Sequence, residues 1–216
     1  ARDRGVRNIV LRDGAVVGLA TLCSPTQTRG DKETSHICAV ALCNMACDPF
    51  GLEFVMQRKT VRTLLSIAAK PVRATQAACA KAIFNLVSKP EHREALVDAG
   101  VVRTLRDLAR LHLHLKPQPQ PRTAEACGSG NAGKGGNGGM SARMRSELQR
   151  YCSMSLCLLS QSSLESEHDD RARAEIVRGG AVSAMTQRSL LEGDDGDEMQ
   201  YICSIALYNL SWDPDT

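Results

Sequence analysis

One short block recurs along this chain, and its repetition constrains the fold more than any other feature of the sequence. The block resembles A-x-x-A-L-x-N-L and appears as CAVALCNMA, CAKAIFNLV, CSMSLCLLS and CSIALYNLS. Its asparagine position holds Asn44, Asn85 and Asn209, whereas the third copy has Leu158. Asparagine is unfavourable inside a helix because its amide competes for backbone groups. Its return at one position of an apolar helical block therefore indicates a specific role.

A second block alternates with the first. It resembles G-A-V-x-x-L and begins at Gly14, Lys59, Gly100 and Gly180. A short apolar element precedes each copy and ends in a turn signal, where glycine suits the left-handed conformation at a helix end. Each unit is therefore predicted to contain a short first helix, a second helix and a longer third helix. Such self-similarity is typical of a solenoid of stacked repeats.

The spacing between units is uneven, and the longest gap has a visible cause. Residues 116–142 are rich in Pro and then in Gly, and they hold too little apolar surface to offset the entropy of ordering. This segment is predicted to be a disordered insertion. It divides the chain into residues 1–115, with about two and a half units, and residues 143–216, with about one and a half. Two shorter polar segments, 162–170 and 191–198, are predicted to lengthen the last unit.

These two blocks, in this order, resemble the armadillo repeat. The resemblance covers nearly the whole chain outside 116–142, and it departs from the pattern at Lys59, in place of Gly, and at Leu158, in place of Asn. It implies an all-α fold, a right-handed superhelical solenoid of three-helix units. HEAT repeats, with two helices per unit, are the nearest alternative. Because the chain lacks an initiator Met, we expect a fragment of a longer armadillo-repeat protein.

The resemblance also implies a binding surface. In armadillo proteins the third helices line a concave groove, where the recurring Asn hydrogen-bonds the backbone of an extended partner segment. Carried over here, the partner-binding residues are Asn44, Asn85 and Asn209, with Lys81 and Lys89 adding positive charge. A carboxamide carries both a donor and an acceptor, as a peptide group does. The alternative is that each Asn bonds a neighbouring helix or loop within the solenoid.

One departure separates this chain from the nuclear-import adaptors of the family, which place a Trp four residues before each groove Asn. The corresponding residues here are Val40, Lys81, Met154 and Ile205. The function expected from sequence is therefore a protein-protein interaction scaffold. The alternatives are a cytoskeletal or ciliary armadillo protein on microtubules and, less favoured, a nuclear-transport adaptor. Aromatic residues make up only 3%, too few for one stacking position per repeat in an RNA-binding solenoid.

The net charge of +3 conceals an asymmetry. Residues 1–150 carry 23 Lys or Arg and 12 Asp or Glu, whereas residues 151–216 carry 4 and 12. The basic part could favour acidic partners, although solvated helix faces explain the same pattern.

No motif points to catalysis, a cofactor or a metal. His36, Cys38, Cys43 and Cys47 share one predicted helix, but their spacing lacks a C-x-x-C pair and does not fit zinc. The nine Cys lie mostly in apolar helical text, as small hydrophobic residues do. With an odd Cys count and no secretory pattern, we expect a reducing, cytoplasmic location, with nuclear or ciliary alternatives, and no membrane span.

Overall fold

The computed structural model describes residues 9, 11–23, 32–113, 142–161, 167–189 and 196–211. Eleven α-helices and one 3₁₀ turn, Pro90–His92, can be bounded within these ranges, and no strand occurs in them. In chain order the helices are α1 (Ala15–Leu22), α2 (Lys32–Ala46), α3 (Pro49–Val55), α4 (Arg58–Ala68), α5 (Arg73–Val87), α6 (Arg93–Asp98), α7 (Val101–Leu113), α8 (Ala142–Ser160), α9 (Glu167–Arg178), α10 (Ala181–Ser189) and α11 (Gly196–Ser211).

The helices form four successive units of the predicted kind. The third helices α2, α5, α8 and α11 stack one on the next, and the second helices α1, α4, α7 and α10 stack in a parallel layer. The first helices of units two to four are α3, α6 and α9, while unit one begins with a helical turn that the Asp13 N–H closes on the Ile9 carbonyl at 2.9 Å. The prediction of an all-α superhelical solenoid is confirmed.

Glycine sets the corner between first and second helices in three units. Gly14, Gly100 and Gly180 have φ values of 84°, 90° and 73°, which side chains of L-residues rarely adopt. In unit two, where Lys59 replaces the glycine, the corner is made by Met56 and Gln57 with negative φ. The chain therefore turns this corner in two different ways.

Small side chains bring neighbouring third helices close together. Ala39, Ala80, Ala82 and Cys79 are fully buried, and larger residues such as Ile83 fill the space between them. At the start of unit two, Gly51 sits so near α2 that a Cβ added there would lie 2.5 Å from the Met45 carbonyl oxygen. This approach explains why α3 has a glycine in its middle.

Seven of the eight described cysteines are buried within this packing, and Cys47 is exposed. Burial raises the pKa of the Cys152 thiol to about 12 and raises that of Cys79 further, because a thiolate loses its hydration there. Within the described residues, therefore, the buried thiols behave as small apolar groups.

Two arginines fasten the last unit to the third. Arg106 in α7 donates to the Gly179 carbonyl at 2.7 Å, and Arg110 donates to the Gly180 carbonyl at 3.1 Å. Both acceptors belong to the turn between α9 and α10. The guanidinium groups thus tie the last unit to its neighbour.

The predicted insertion falls almost wholly outside the described residues. Residues 114–141 are not described, and Ala142, the last residue of the predicted segment, is the first residue of α8. The flanking helices α7 and α8 pack against each other and complete one unit. The connection therefore leaves the third unit and returns to it.

Candidate functional site

Two parallel rows of side chains run across the stacked third helices, one residue per helix. The asparagine row consists of Asn44, Asn85, Leu158 and Asn209, and the preceding row, one helical turn earlier, consists of Val40, Lys81, Met154 and Ile205. Val40, Asn44 and Lys81 are exposed, and the other five are partly exposed. Because α2, α5, α8 and α11 are stacked in order, the rows form a continuous surface.

Asn85 links its helix to the preceding one. Its Nδ2 donates to the Cys47 sulfur, just beyond α2, at 3.0 Å. Sulfur is a weak acceptor, and both residues are accessible to water. Among the described residues, none donates to the Asn85 Oδ1, so the carbonyl end of the amide stays open.

Asn209 repeats this link between the third and fourth units. Its Nδ2 donates to the Ser160 Oγ at 3.2 Å, at the end of α8. Ser160 is fully buried, and its own hydroxyl donates to the Cys157 carbonyl at 2.7 Å. The serine therefore uses its hydrogen within α8 and presents a lone pair to the asparagine.

The other two positions of the row make no such link. Asn44 lies exposed on α2, and no hydrogen bond joins its carboxamide to any part of the chain that the structure describes. Leu158 packs partly buried against the core. The row thus alternates between carboxamides that bond the preceding helix and positions that do not.

The two predicted lysines differ in position. Lys81 lies exposed in the middle of α5, where no described acidic side chain pairs with it, and Lys89 lies exposed after the end of that helix. Burial, and next the neighbouring Cys47 thiol, raise the pKa of the Cys43 thiol to about 11, while the Lys81 ammonium opposes the rise. Lys81 is therefore the one charged member of the preceding row, near the junction of units one and two.

Aromatic and charged contacts brace the same surface. Phe84 and Tyr151 make a tilted aromatic contact across the junction of α5 and α8, with ring centroids 5.6 Å apart. Arg150 pairs with Glu198 at 2.8 Å, which joins α8 to α11. Outside the lysines, the centre of the surface is apolar and amide-bearing.

No family model and no curated protein matches this sequence. Solved structures do match its fold. A designed armadillo repeat protein in complex with the peptide (KR)4 has a TM-score of 0.62 and 14% identity, and the match covers 94% of this chain and 69% of that one. The chain has the armadillo repeat fold.

Two further solved structures share this armadillo fold. An engineered protein has a TM-score of 0.62 and 23% identity over 93% of this chain, and the chain spans only 38% of that protein's length. Computationally designed armadillo repeat proteins for modular peptide recognition have a TM-score of 0.51 and 12% identity, with 93% of this chain and 84% of that chain covered.

Sequence reasoning identified the asparagine row but missed the groups that its amides meet. Cys47 and Ser160 are the acceptors, and each comes two or three residues after the row position of its own unit. The sequence pattern that could have predicted these acceptors is a polar or sulfur-bearing residue two or three positions after the row position, followed by Asn at the row position of the next unit. From its sequence context Cys47 was expected to be a packed hydrophobic thiol, whereas it is exposed and accepts the hydrogen bond from Asn85.

Within the described residues of the solenoid, no group of three or more His, Cys, Asp or Glu is arranged to hold a metal ion. None of the helices in those ranges is both long and apolar enough to cross a membrane.

Proposed function

We propose that the surface formed by the two rows binds an extended segment of a partner protein, in a binding rather than a catalytic role. The observation that supports this most is the partial use of the amides. Asn85 and Asn209 each give one N–H to the solenoid. A carboxamide has a second N–H and a carbonyl oxygen, which together match a peptide group.

The solved structures support the same class of function. One similar protein was solved with the peptide (KR)4, and others were designed for modular peptide recognition. The shared fold supports a peptide-binding scaffold, while the identity of the ligand has to come from this chain's own side chains.

The rows favour a different peptide from the basic one named for that designed protein. Val40, Met154 and Ile205 offer apolar contacts, and Lys81 offers an exposed cation. A peptide with apolar side chains and one carboxylate opposite Lys81 would meet complementary groups, whereas a Lys/Arg repeat would meet a like charge.

A peptide selection tests the proposal. Third helices in contact lie about 9 Å apart, so four of them span about eight residues of extended chain at about 3.3 Å each. A displayed library of random peptides of about this length is selected against the chain, and a recovered peptide is measured by fluorescence polarisation. Asn85→Ala should weaken binding about 2–10-fold, the worth of a neutral hydrogen bond.

Leu158→Asn is the matched gain-of-function variant, because it restores the amide that unit three lacks. It should tighten binding by a similar factor, while Arg103→Ala, on the exposed face of α7, should leave the affinity unchanged. Lys81→Glu should shift the selected peptides away from carboxylates. The proposal is wrong if no peptide is enriched, or if enriched peptides respond to none of the row variants.

A further inference from the structure

A cluster of cationic side chains lies on the second helices of the two middle units. The helix α4 carries Arg58, Lys59 and Arg62, all exposed, and it has no acidic residue. In the neighbouring helix α7, Arg103 and Arg110 are exposed. Arg103 occupies the place of Arg62 in its unit, since both stand in the sequence V-R-T-L. We call these five residues the basic surface.

The repeat pattern itself does not require these charges. At the place of Arg62 and Arg103, the second helix of the first unit has Val17 and that of the last unit has Ser183. The helix α1 has no charged residue, and the charge of α10 is limited to Arg188. The basic surface is therefore a property of units two and three rather than a general feature of the second helices.

No described acidic side chain pairs with the basic surface. Elsewhere on the solenoid an exposed arginine pairs with a carboxylate of the next unit, as Arg150 pairs with Glu198 at 2.8 Å. The one acidic residue of α7, Asp107, pairs with Arg106 at 2.7 Å, and Arg106 is not part of the basic surface. All five cations are therefore exposed without an ion-pair partner in the part of the chain that the structure describes.

This arrangement is unfavourable in the free chain. Arg58 and Arg62 are one helical turn apart on α4, where like charges repel each other. Arg58 and Lys59 also lie in the first turn of α4, where the helix dipole disfavours cations. Neither α4 nor α7 has an acidic residue in its first turn to offset this effect. Carboxylates bound between these side chains would relieve both sources of repulsion.

We propose that the basic surface binds an acidic segment of a partner protein, in an extended conformation with Asp or Glu at alternate positions. A guanidinium group donates two parallel hydrogen bonds to one carboxylate. Arg58 and Arg62 lie about 6 Å apart along the axis of α4. Alternate side chains of an extended chain lie on one face about 6.6 Å apart, so two carboxylates match the two guanidinium groups.

Arg103 extends the basic surface to the next unit. Second helices in contact lie about 9 Å apart, a distance that an extended peptide covers with about three residues. A third carboxylate of the same segment therefore reaches Arg103. This surface is separate from the two rows on the third helices, so the inference goes beyond the proposed function and does not depend on it.

The same cations would attract the phosphates of a nucleic acid. Proteins that bind single strands combine such charges with aromatic side chains on which the bases stack. Neither α4 nor α7 contains Phe, Tyr or Trp, so these two helices offer charge without a stacking position. An acidic protein segment, which needs no stacking, fits these helices better.

Fluorescence polarisation tests the binding, with the whole chain and a labelled polyglutamate peptide of about eight residues, which spans about 26 Å when extended. The affinity should fall steeply between about 50 and about 300 mM salt, because exposed charges are screened. The double variant Arg62→Glu with Arg103→Glu should weaken binding about 10-fold or more, because the carboxylates then meet like charges. Both side chains are exposed, so this variant should fold as the unaltered chain does.

The matched control is Lys81→Glu with Lys89→Glu, which changes the net charge equally but alters exposed residues in and just after the third helix α5. It should weaken binding far less than the arginine variant does. An equal loss would overturn the proposal, because the net charge or the rows would then hold the peptide. So would an absence of binding at the lowest salt concentration.

A single-stranded oligonucleotide of equal charge provides the remaining comparison. It should bind more weakly than the polyglutamate peptide. If it binds more tightly and loses affinity in the arginine variant, the surface recognises nucleic acid and the proposal is wrong. If circular dichroism shows that the arginine variant is unfolded, the milder Arg62→Gln with Arg103→Gln replaces it, with Lys81→Gln and Lys89→Gln as its control.

Discussion

The free energy of unfolding should be almost unchanged by Asn85→Ala, by no more than about 0.5 kcal/mol in either direction. The substitution removes a hydrogen bond to the Cys47 sulfur, which is a weak acceptor and exposed, so water replaces the lost donor. Alanine also favours a helix interior over asparagine by up to about 0.7 kcal/mol. The two effects are similar in size and opposite in sign.

Asn209→Ala makes the same chemical change against a different acceptor. Ser160 is fully buried, so water cannot reach the lone pair that the lost amide leaves. The loss of stability should exceed that of Asn85→Ala by about 0.5–1.5 kcal/mol. The difference between the two stability changes reports the effect of the acceptor alone, because both variants make the same change in helix propensity.

Urea denaturation followed by far-UV circular dichroism measures both variants. A cycle with Cys47→Ala gives the coupling of Asn85 to the sulfur, which should not exceed about 0.5 kcal/mol. A loss above about 1.5 kcal/mol for Asn85→Ala at an unchanged slope would refute the reasoning, since an exposed amide does not contribute that much. Such a result would make Asn85 a structural residue and remove its availability to a peptide.

Three further outcomes are expected from the packing. Gly51→Ala should destabilise the fold by about 2 kcal/mol or more, because its Cβ would meet helix backbone. Gly18→Ala, with open space around it, should instead stabilise the fold by about 0.5–1 kcal/mol. Thermal melts compare the two variants. Cys47 should react with a thiol reagent well before the other described cysteines, and mass spectrometry of the digested protein identifies it. Arg106→Ala should lose about 1.5–3 kcal/mol in urea melts through its charged hydrogen bond, while Arg103→Ala on the same helix should change little.

The fold was predictable because its information is local and repeated. Each unit carries its own helix periods and corner glycines, and three of four corners have the glycine at the predicted place. Because the pattern occurs four times, the unit boundaries could still be recognised where Lys59 replaces the glycine and Leu158 replaces the asparagine.

The starts of two helices were less clear in the sequence. The polar segments 162–170 and 191–198 were predicted only to lengthen the last unit, yet α9 begins at Glu167 and α11 at Gly196. Acidic residues such as Asp197 and Glu198 stabilise the first turn of a helix through its dipole. An acidic segment can therefore form the first turn of a helix even though its composition resembles that of a solvated loop.

The geometry of the asparagine row could not be obtained from sequence. Whether an amide bonds a neighbour depends on what the preceding unit places beside it, and that unit is about forty residues away in the chain. The same local sequence pattern surrounds Asn44, Asn85 and Asn209, but their side chains lie next to different groups. The sequence alone left open whether these residues bond within the solenoid, and for two of them the structure gives the partner.

The connection inside the third unit has a consequence for the order of folding. Four residues separate α4 from α5 and nine separate α1 from α2, whereas residues 114–141 separate α7 from α8. Bringing α7 and α8 together costs about 1 kcal/mol more loop entropy than joining α1 to α2. Because a repeat array folds by nucleation and propagation, we expect units one and two to form first, with α8 docking on the finished α5. During synthesis the first two units can thus fold before the rest has emerged. They then provide the surface on which α8 packs, although α8 follows the longest connection in the chain.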